Sequence, residues 1–169
     1  GPAIEAAASR GDHARYHFPR PMLRRNQRPG DDDFYDFSFS GLKTAVATLV
    51  GEIEADRSLD SEREDVAASF QAAVTDVLTE KTMRAVEEKD CTRVLLGGGV
   101  SANGRLREAL AKRLEPDGSL LNGSPRMSLD NGAMVARAGA FRLERGEVAP
   151  LDASADPNLP FPGLLKTSA

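Results

Sequence analysis

The sequence predicts a helix-rich α/β fold, and two observations lead to this prediction. Several stretches carry apolar residues at the spacing of an amphipathic helix. One short apolar run, Arg93 to Leu96, suits a strand buried on both faces, and it leads through Gly97, Gly98 and Gly99 into another helical stretch. A strand, a glycine turn and a helix in this order are typical of an α/β protein.

Composition limits the classes of protein that the chain can represent. Its 169 residues with 40% apolar content are enough for one cored domain or for part of a larger one. A formal net charge of -4 disfavours a protein that coats nucleic acid without specificity, although a local basic patch stays open. The single cysteine, Cys91, excludes an internal disulfide, and no apolar run approaches the length of a bilayer span. We therefore expect a soluble, cytoplasmic protein with no membrane partner.

Residues 1–36 are predicted to form a basic, proline-rich connector. The first thirty residues contain six arginines and two acids, and the prolines Pro19, Pro21 and Pro29 disfavour a helix, so the segment should be extended. The chain begins at Gly1 and Pro2 without a methionine, which favours a fragment of a longer protein. A Gly-Pro start is also what cleavage of a tag leaves behind.

Residues 37–146 are predicted to form the α/β domain. A short strand is expected at Phe37 to Ser40, where aromatic and hydroxyl residues alternate, and Ser61 with Glu64 has the spacing of a capping box. Asp130 is expected to open the last helix, and the residues from 147 to 169 are expected to form an irregular, proline-rich tail. The apolar positions of the four predicted helices are, in order, Leu42, Val46, Leu49, Val50 and Ile53; Val66, Phe70, Val74, Val77 and Leu78; Leu106, Leu110 and Leu114; and Met134, Ala138 and Phe141.

The triple glycine is the first candidate ligand site. Glycines between a buried strand and a helix let backbone amides approach a phosphate, which suits a nucleotide. The string matches neither a P-loop nor a dinucleotide fingerprint, so a tight structural turn is an equal alternative. Asn103 follows in the first turn of the helix, where its amide suits either a purine or ribose contact or a helix cap.

Metal ligands are the second kind of candidate. Asp130 suits an N-cap first and a metal ligand second, because one carboxylate does not make a metal site. His13 and His17 have the spacing of a zinc-binding pair, but we reject this interpretation. The general-base glutamate is missing, and Pro19 and Pro21 would end any helix. A catalytic triad is also disfavoured, since the chain has only two histidines.

Four strings in order resemble one family. They are GPAIE, FPRPM followed by DFSFSGLKT, GGGVSANGRLR and DNGAMVA, and the resemblance runs from Gly1 to about Gly146. Together they resemble the tRNA N6-adenosine threonylcarbamoyltransferases. The resemblance implies the actin-like ATPase fold, two related α/β lobes around a nucleotide cleft, with this chain supplying mainly the second lobe.

The resemblance also implies roles for particular residues. Gly1 resembles the second glycine of the family's Gly-Gly-Pro, and Glu5 resembles an acid that reaches the ribose in some members. Asn103 matches the asparagine beside the adenine, while Gly98 and Gly99 would border the same cleft. The catalytic residues stay unknown at this point.

The resemblance further implies cofactors and partners. Asp130 matches the ligand of one divalent metal, iron or zinc, that is shared with two histidines from the first half of the family's chain. ATP or threonylcarbamoyl-adenylate is the implied ligand, and tRNA is the implied substrate. The implied protein partners are a paralogous scaffold subunit and a small ATPase subunit. Four arginines suit either tRNA phosphates or a solvated loop: Arg20, Arg24, Arg25 and Arg28.

The implied reaction is transfer of a threonylcarbamoyl group from its adenylate to the N6 amine of the adenosine next to the anticodon. The tRNAs concerned read codons that begin with A. We expect this chain alone to have little activity, because half of the cleft is missing. Two alternatives stay open: a noncatalytic dimerising scaffold of the same fold, and another actin-fold, ATP-dependent phosphotransferase.

Overall fold

The computed structural model describes residues 1–56, 58–124, 128 and 131–154. These residues form helices α1 (Pro2–Ala8), α2 (Ser40–Asp56), α3 (Arg63–Glu88), α4 (Gly104–Leu114) and α5 (Gly132–Glu144). They also form strands β1 (Arg93–Leu96) and β2 (Ser119–Asn122), and two short 3-10 helices, Leu59–Ser61 and Gly99–Ala102. Helices with one small parallel sheet agree with the predicted helix-rich α/β class.

Contacts divide the chain into two compact units, residues 1–130 and residues 131–169. This division differs from the boundaries expected after residues 36 and 146, which stay a prediction. Among the described residues, none of the helices combines the length and the apolar character that crossing a bilayer requires.

The long helix α3 is the centre of the first unit. Its buried residues include neighbours in sequence, such as Ala72 and Ala73, so more than one side of the helix is covered. Helices α1 and α4 both pack against it. The predicted apolar positions of the helices at Leu42 and Leu106 are confirmed as core: these side chains are 0% and 3% exposed. The main apolar cluster of buried residues consists of Phe18, Leu42, Ile53, Val66 and Ala73.

The sheet was only partly predicted. Strand β1 forms at the predicted residues and pairs in parallel with β2, with Arg93 opposite Ser119. The expectation that β1 is buried on both faces is wrong, since Leu95 is 79% exposed. Helix α4 contacts β2, whereas the face that carries Leu95 and Leu121 is open to solvent in the described part of the chain. Strand β2, whose four residues lie between Gly118 and Gly123, is not among the predicted elements.

The strand expected at Phe37 to Ser40 is wrong. The segment has no regular structure before α2 begins at Ser40, one residue earlier than Gly41. The hydroxyl of Ser38 accepts a hydrogen bond from the Ser40 amide at 3.3 Å, and the Lys43 amide donates to the Phe39 carbonyl at 2.8 Å. These local bonds satisfy the backbone in place of a strand ladder.

The expected capping box before α3 is also wrong. The Ser61 hydroxyl donates to the carbonyl of Ser58 at 2.9 Å, so it does not cap α3. Ser58 instead caps the short 3-10 helix by accepting from the Asp60 amide at 3.3 Å. Helix α3 begins at Arg63 after Glu62, which makes no side-chain capping bond.

The connector is more structured than expected. Pro2–Ala8 is helical, which corrects the expectation of an extended segment, and proline at the first helical position is compatible with this. Residues 9–39 contain neither helix nor strand, but they lie along α3. The Asp12 amide donates to the Asp65 carboxylate at 2.7 Å, and Arg20 pairs with Asp76 at 2.6 Å.

Lys81 fixes the far end of the connector to α3. Its buried ammonium donates to the backbone carbonyls of Asp33 at 2.6 Å and Phe34 at 2.9 Å. Burial lowers the pKa of Lys81, with the nearby Arg84 guanidinium contributing. The two carbonyl bonds satisfy a cation that would otherwise be costly to bury.

The last helix, α5, is capped by a different residue from the one expected. Asn131 accepts a hydrogen bond from the Met134 amide at 3.0 Å, so the cap is Asn131 and not Asp130. Asp130 itself lies outside the described residues. The helix predicted through Met134, Ala138 and Phe141 is confirmed. Residues 147–154 have no helix or strand, and the rest of the predicted tail, 155–169, lies outside the described residues.

Two glycine substitutions test the packing of the connector. A Cβ atom on Gly11 would lie 2.0 Å from the backbone oxygen of Glu64 in α3, whereas a Cβ on Gly51 in α2 would meet nothing within 4 Å. We expect Gly11→Ala to lower the free energy of unfolding by about 1–3 kcal/mol through overpacking. Gly51→Ala should raise it by about 0.5–1 kcal/mol, because alanine favours a helix interior. Urea unfolding followed by circular dichroism measures both; equal effects would contradict the close packing at Gly11.

Candidate functional site

A cavity of about 690 Å³ lies in the first unit, within the size range of small-molecule sites. Four of the five residues expected at a nucleotide line it together: Gly1, Glu5, Gly99 and Asn103. Gly98 directly precedes this wall and is not part of the lining. Binding of a nucleotide by these residues stays a prediction. The complete lining is Gly1, Pro2, Ile4, Glu5, Phe39, Lys43, Phe70, Gln71, Val74, Thr75, Gly99, Val100, Ala102, Asn103 and Leu106.

The glycine turn leads from β1 to the cavity wall. Gly98 has φ 82° and ψ 175°, a conformation that is accessible almost only to glycine. Its carbonyl accepts from the Ser101 amide at 3.1 Å and from the buried Ser101 hydroxyl at 2.6 Å. The Arg107 side chain in turn donates to the Ser101 carbonyl. A structural turn therefore accounts for Gly98 by itself.

The next two residues belong to the cavity wall and carry backbone donors. Gly99 and Val100 both line it, and their amides donate to no other residue in the described ranges. Unpaired amides at a glycine-rich turn are suited to an anion such as phosphate. The phosphate interpretation of the glycines is thus compatible with Gly99 and Val100, while Gly98 shapes the turn.

Asn103 and Glu5 both act at the N-terminus of α4. The Asn103 side-chain oxygen accepts from the Leu106 amide at 3.0 Å, which makes Asn103 the N-cap. One carboxylate oxygen of Glu5 accepts from the Gly104 amide at 2.8 Å. The helix-cap alternative for Asn103 is therefore observed. The negative charge of Glu5 at this end also interacts favourably with the positive end of the helix dipole.

Gln71 connects this helix start to α3. Its side chain is 8% exposed, and its amide nitrogen donates to the Asn103 side-chain oxygen at 3.2 Å. The sequence analysis missed this residue. The available signal was a long polar side chain directly after Phe70, inside a stretch predicted to be core.

The remaining wall of the cavity is apolar and carries one lysine. Phe39, Phe70, Val74 and Leu106 are among its apolar residues. Lys43 is the only lysine or arginine in the lining, and it forms no ion pair with the described residues. Lys43 was not among the predicted site residues. The pattern of the FSGLK string indicated a strand and a helix, and that pattern assigns no role to the lysine.

The described residues hold no complete metal site. No group of three or more potential metal-binding His, Cys, Asp or Glu side chains occurs among them, and the predicted ligand Asp130 lies outside them. His13 and His17 are exposed in an irregular segment. This agrees with the rejection of a helical zinc-binding pair, which would need both histidines on one helix face.

The four connector arginines separate into two pairs. Arg20 pairs with Asp76 at 2.6 Å, and Arg24 pairs with Asp33 at 2.8 Å. Hydrogen bonding by Gln27 and the charge of Arg24 hold the pKa of Asp33 below its usual range. Arg25 and Arg28 are exposed and form no ion pair with another described residue. Among these four arginines, the positive charges of Arg25 and Arg28 are therefore the ones that no described carboxylate offsets, so they suit an external partner.

The glycine turn can be tested by a matched pair of alanine substitutions. Gly98→Ala places a side chain in a glycine-only conformation, so we expect it to lower the free energy of unfolding by about 1–3 kcal/mol. Gly97→Ala is the control, because a Cβ there meets nothing within 4 Å and its φ is not positive. Thermal unfolding of both variants measures the difference. Equal stability would show that the turn does not depend on Gly98.

Comparison with known proteins assigns the chain to a family. The family described as "TsaD: tRNA N6-adenosine threonylcarbamoyltransferase" matches residues 1–137. A protein of that name from Gemmatimonas aurantiaca is 45% identical over 98% of this chain and 47% of its own length. A protein of the same name from Bordetella petrii is 47% identical over 86% of this chain and 40% of its own length. Another, from Thermotoga neapolitana, is 43% identical over 94% of this chain and 45% of its own length.

The chain thus spans less than half the length of the curated relatives that it matches. The matched region includes every residue that lines the cavity. The chain belongs to the TsaD family, the tRNA N6-adenosine threonylcarbamoyltransferases.

Proposed function

We propose that the protein to which this chain belongs transfers a threonylcarbamoyl group from threonylcarbamoyl-adenylate to a tRNA. The acceptor is the N6 amine of the adenosine next to the anticodon, in tRNAs that read codons beginning with A. Family membership supports the reaction. The observation in this chain that supports the reaction is a cavity lined by Gly1, Glu5, Gly99 and Asn103. In this proposal the chain supplies mainly the second lobe of an actin-like ATPase fold.

The nucleotide part of the ligand fits the two kinds of wall in the cavity. The adenine lies against the apolar side, where Phe39, Phe70 and Leu106 are located. The phosphate lies near the amides of Gly99 and Val100, which have no partner among the described residues, with the Lys43 ammonium as the neighbouring cation. The phosphate would thus meet a cation and backbone N–H donors, which are the groups that typically bind anions in proteins.

The proposed transfer needs positioning and charge stabilisation. The N6 amine attacks the carbonyl carbon of the threonylcarbamoyl group, a C–N bond forms, and the C–O bond to the phosphate breaks. AMP leaves with the electron pair, and the amine loses one proton to solvent. Positive charge from Lys43 at the phosphate favours this leaving group, since donors that are already in place stabilise developing charge.

A divalent metal, iron or zinc, remains part of the proposal. We propose Asp130 as one ligand, with two histidines from outside this chain as the others. The metal would supply Lewis-acid chemistry when bound. ATP or threonylcarbamoyl-adenylate is the proposed nucleotide ligand.

The proposed partners follow from the family and from surface charge. Arg25 and Arg28 are the two connector arginines proposed to contact tRNA phosphates, because Arg20 and Arg24 are neutralised within the chain. A paralogous scaffold subunit and a small ATPase subunit are the proposed protein partners, and the cytoplasm is the proposed place of action. The alternative scaffold and phosphotransferase functions have no support from the three relatives described above, which are each named as a tRNA N6-adenosine threonylcarbamoyltransferase.

A reconstituted transfer assay tests the proposed reaction. The chain, joined to a matching N-terminal half from the family, should modify tRNA, and Asp130→Ala should reduce both transfer and bound metal, measured by mass spectrometry. We expect the isolated chain to show little transfer. Undiminished metal content and transfer in the variant would contradict the role of Asp130, and turnover by the isolated chain would contradict a shared site.

Lys43→Met tests the proposed phosphate contact. Removal of the cation should weaken ATP binding to the chain joined to the matching N-terminal half about tenfold to a hundredfold, because a hydrogen bond to a charged group contributes about 1.5–3 kcal/mol. Isothermal titration calorimetry at low and high salt gives the affinity. The control is Lys112→Met, an exposed lysine of α4 outside this cavity. Identical ATP affinities for both variants would place the phosphate elsewhere.

A further inference from the structure

The side-chain oxygen of Asn103 has no remaining capacity for a ligand. It accepts from the Leu106 amide at 3.0 Å and from the Gln71 side-chain amide at 3.2 Å. An amide carbonyl has two lone pairs, so two donors saturate it. Any ligand in the cavity therefore meets Asn103 through its NH₂ group.

The orientation of this amide follows from its neighbours. If the Asn103 amide were rotated by 180°, its NH₂ group would face the Leu106 amide and the Gln71 NH₂ group, which are both donors. The Leu106 amide, which can only donate, would then lose its acceptor. The oxygen is thus held towards α4 and Gln71, while the nitrogen makes no hydrogen bond to the described residues.

The burial of Gln71 explains how the orientation is maintained. Its side chain is only 8% exposed and belongs to α3, the central helix of the first unit. Burying a polar amide is costly unless it is hydrogen-bonded, so the bond to Asn103 also stabilises Gln71. Gln71 lines the same cavity as Asn103.

We propose that Gln71 is a positioning residue that fixes Asn103 as a pure hydrogen-bond donor towards the cavity. The ligand group recognised at Asn103 is then an acceptor, such as an unprotonated ring nitrogen of the purine or a ribose oxygen. An N–H or NH₂ group of the ligand is rejected at this position, because it would meet the NH₂ group of Asn103. This inference rests on the proposed nucleotide site and specifies its chemistry.

Asn103→Asp is the most direct test, because it removes the donor and keeps the cap. Aspartate caps a helix as well as asparagine does and still accepts from Gln71, so the thermal midpoint should hardly change. ATP affinity, measured by titration calorimetry on the chain joined to the matching N-terminal half, should fall about threefold to tenfold, the value of one hydrogen bond. Neutral adenosine should lose affinity as well, which separates the lost donor from repulsion of the phosphates. Asn26→Asp, an exposed residue of the connector, is the control for the added charge.

Analogues that each lack one acceptor identify the recognised group. We would titrate 1-deaza-, 3-deaza- and 7-deaza-ATP and 2′-deoxy-ATP, and we expect one of them to bind the wild-type chain about threefold to tenfold more weakly than ATP. Asn103→Asp should no longer distinguish that analogue from ATP. Gln71→Met should reduce the same discrimination while the chain stays folded, which a merely structural role of Gln71 would not cause.

The outcomes separate the inference from the proposed function. If the wild-type chain, joined to the matching N-terminal half, binds neither ATP nor adenosine, the nucleotide site and this inference are both overturned. If it binds ATP but Asn103→Asp binds ATP and adenosine equally well, only the donor role of Asn103 is overturned. Full discrimination by Gln71→Met would overturn the positioning role of Gln71.

Discussion

Helix α3 is the support on which the other parts of the first unit depend. Helices α1 and α4 pack against it, the connector lies along it, and the main apolar cluster includes its residues Val66 and Ala73. A helix covered on more than one side must keep small residues where its neighbours come close, and Ala72 and Ala73 serve this purpose. Because α1 and α4 both contribute residues to the cavity wall and both pack on α3, the packing on α3 also shapes the cavity.

Structural and binding roles overlap at the start of α4. Glu5 and Asn103 each satisfy a backbone amide of the first helical turn, and both line the cavity. A substitution to alanine at either position would therefore change the helix end as well as any ligand contact. For this reason the informative variants keep the cap and change only the donor. The same reasoning explains why loss of binding in an alanine variant does not identify a ligand residue by itself.

The sequence predicted what depends on local spacing. Leu106, Leu110 and Leu114 are buried as the helical period requires, and β1 forms at the predicted residues. The predictions failed where side-chain hydrogen bonds that the apolar pattern does not specify compete with the expected structure. Ser38 bonds locally and prevents a strand, and Ser61 bonds to Ser58 and does not cap α3. The bond between Gln71 and Asn103 joins residues 32 apart, and no local pattern indicates which polar core residue makes such a contact.

The connector is fixed to α3 on both sides of residues 21–32, and these residues lie outside the lining of the cavity. Arg20 and Lys81 hold the chain to α3 on either side of residues 21–32, and the turn between them contributes nothing to the cavity lining. A loop whose two ends are fixed can change in length at a small entropic cost, since that cost grows only with the logarithm of its length. An insertion or a fused reporter within residues 21–32 should therefore leave the lining of the cavity unchanged, provided that it keeps the bonds of Arg24 and Gln27 to Arg84 of α3.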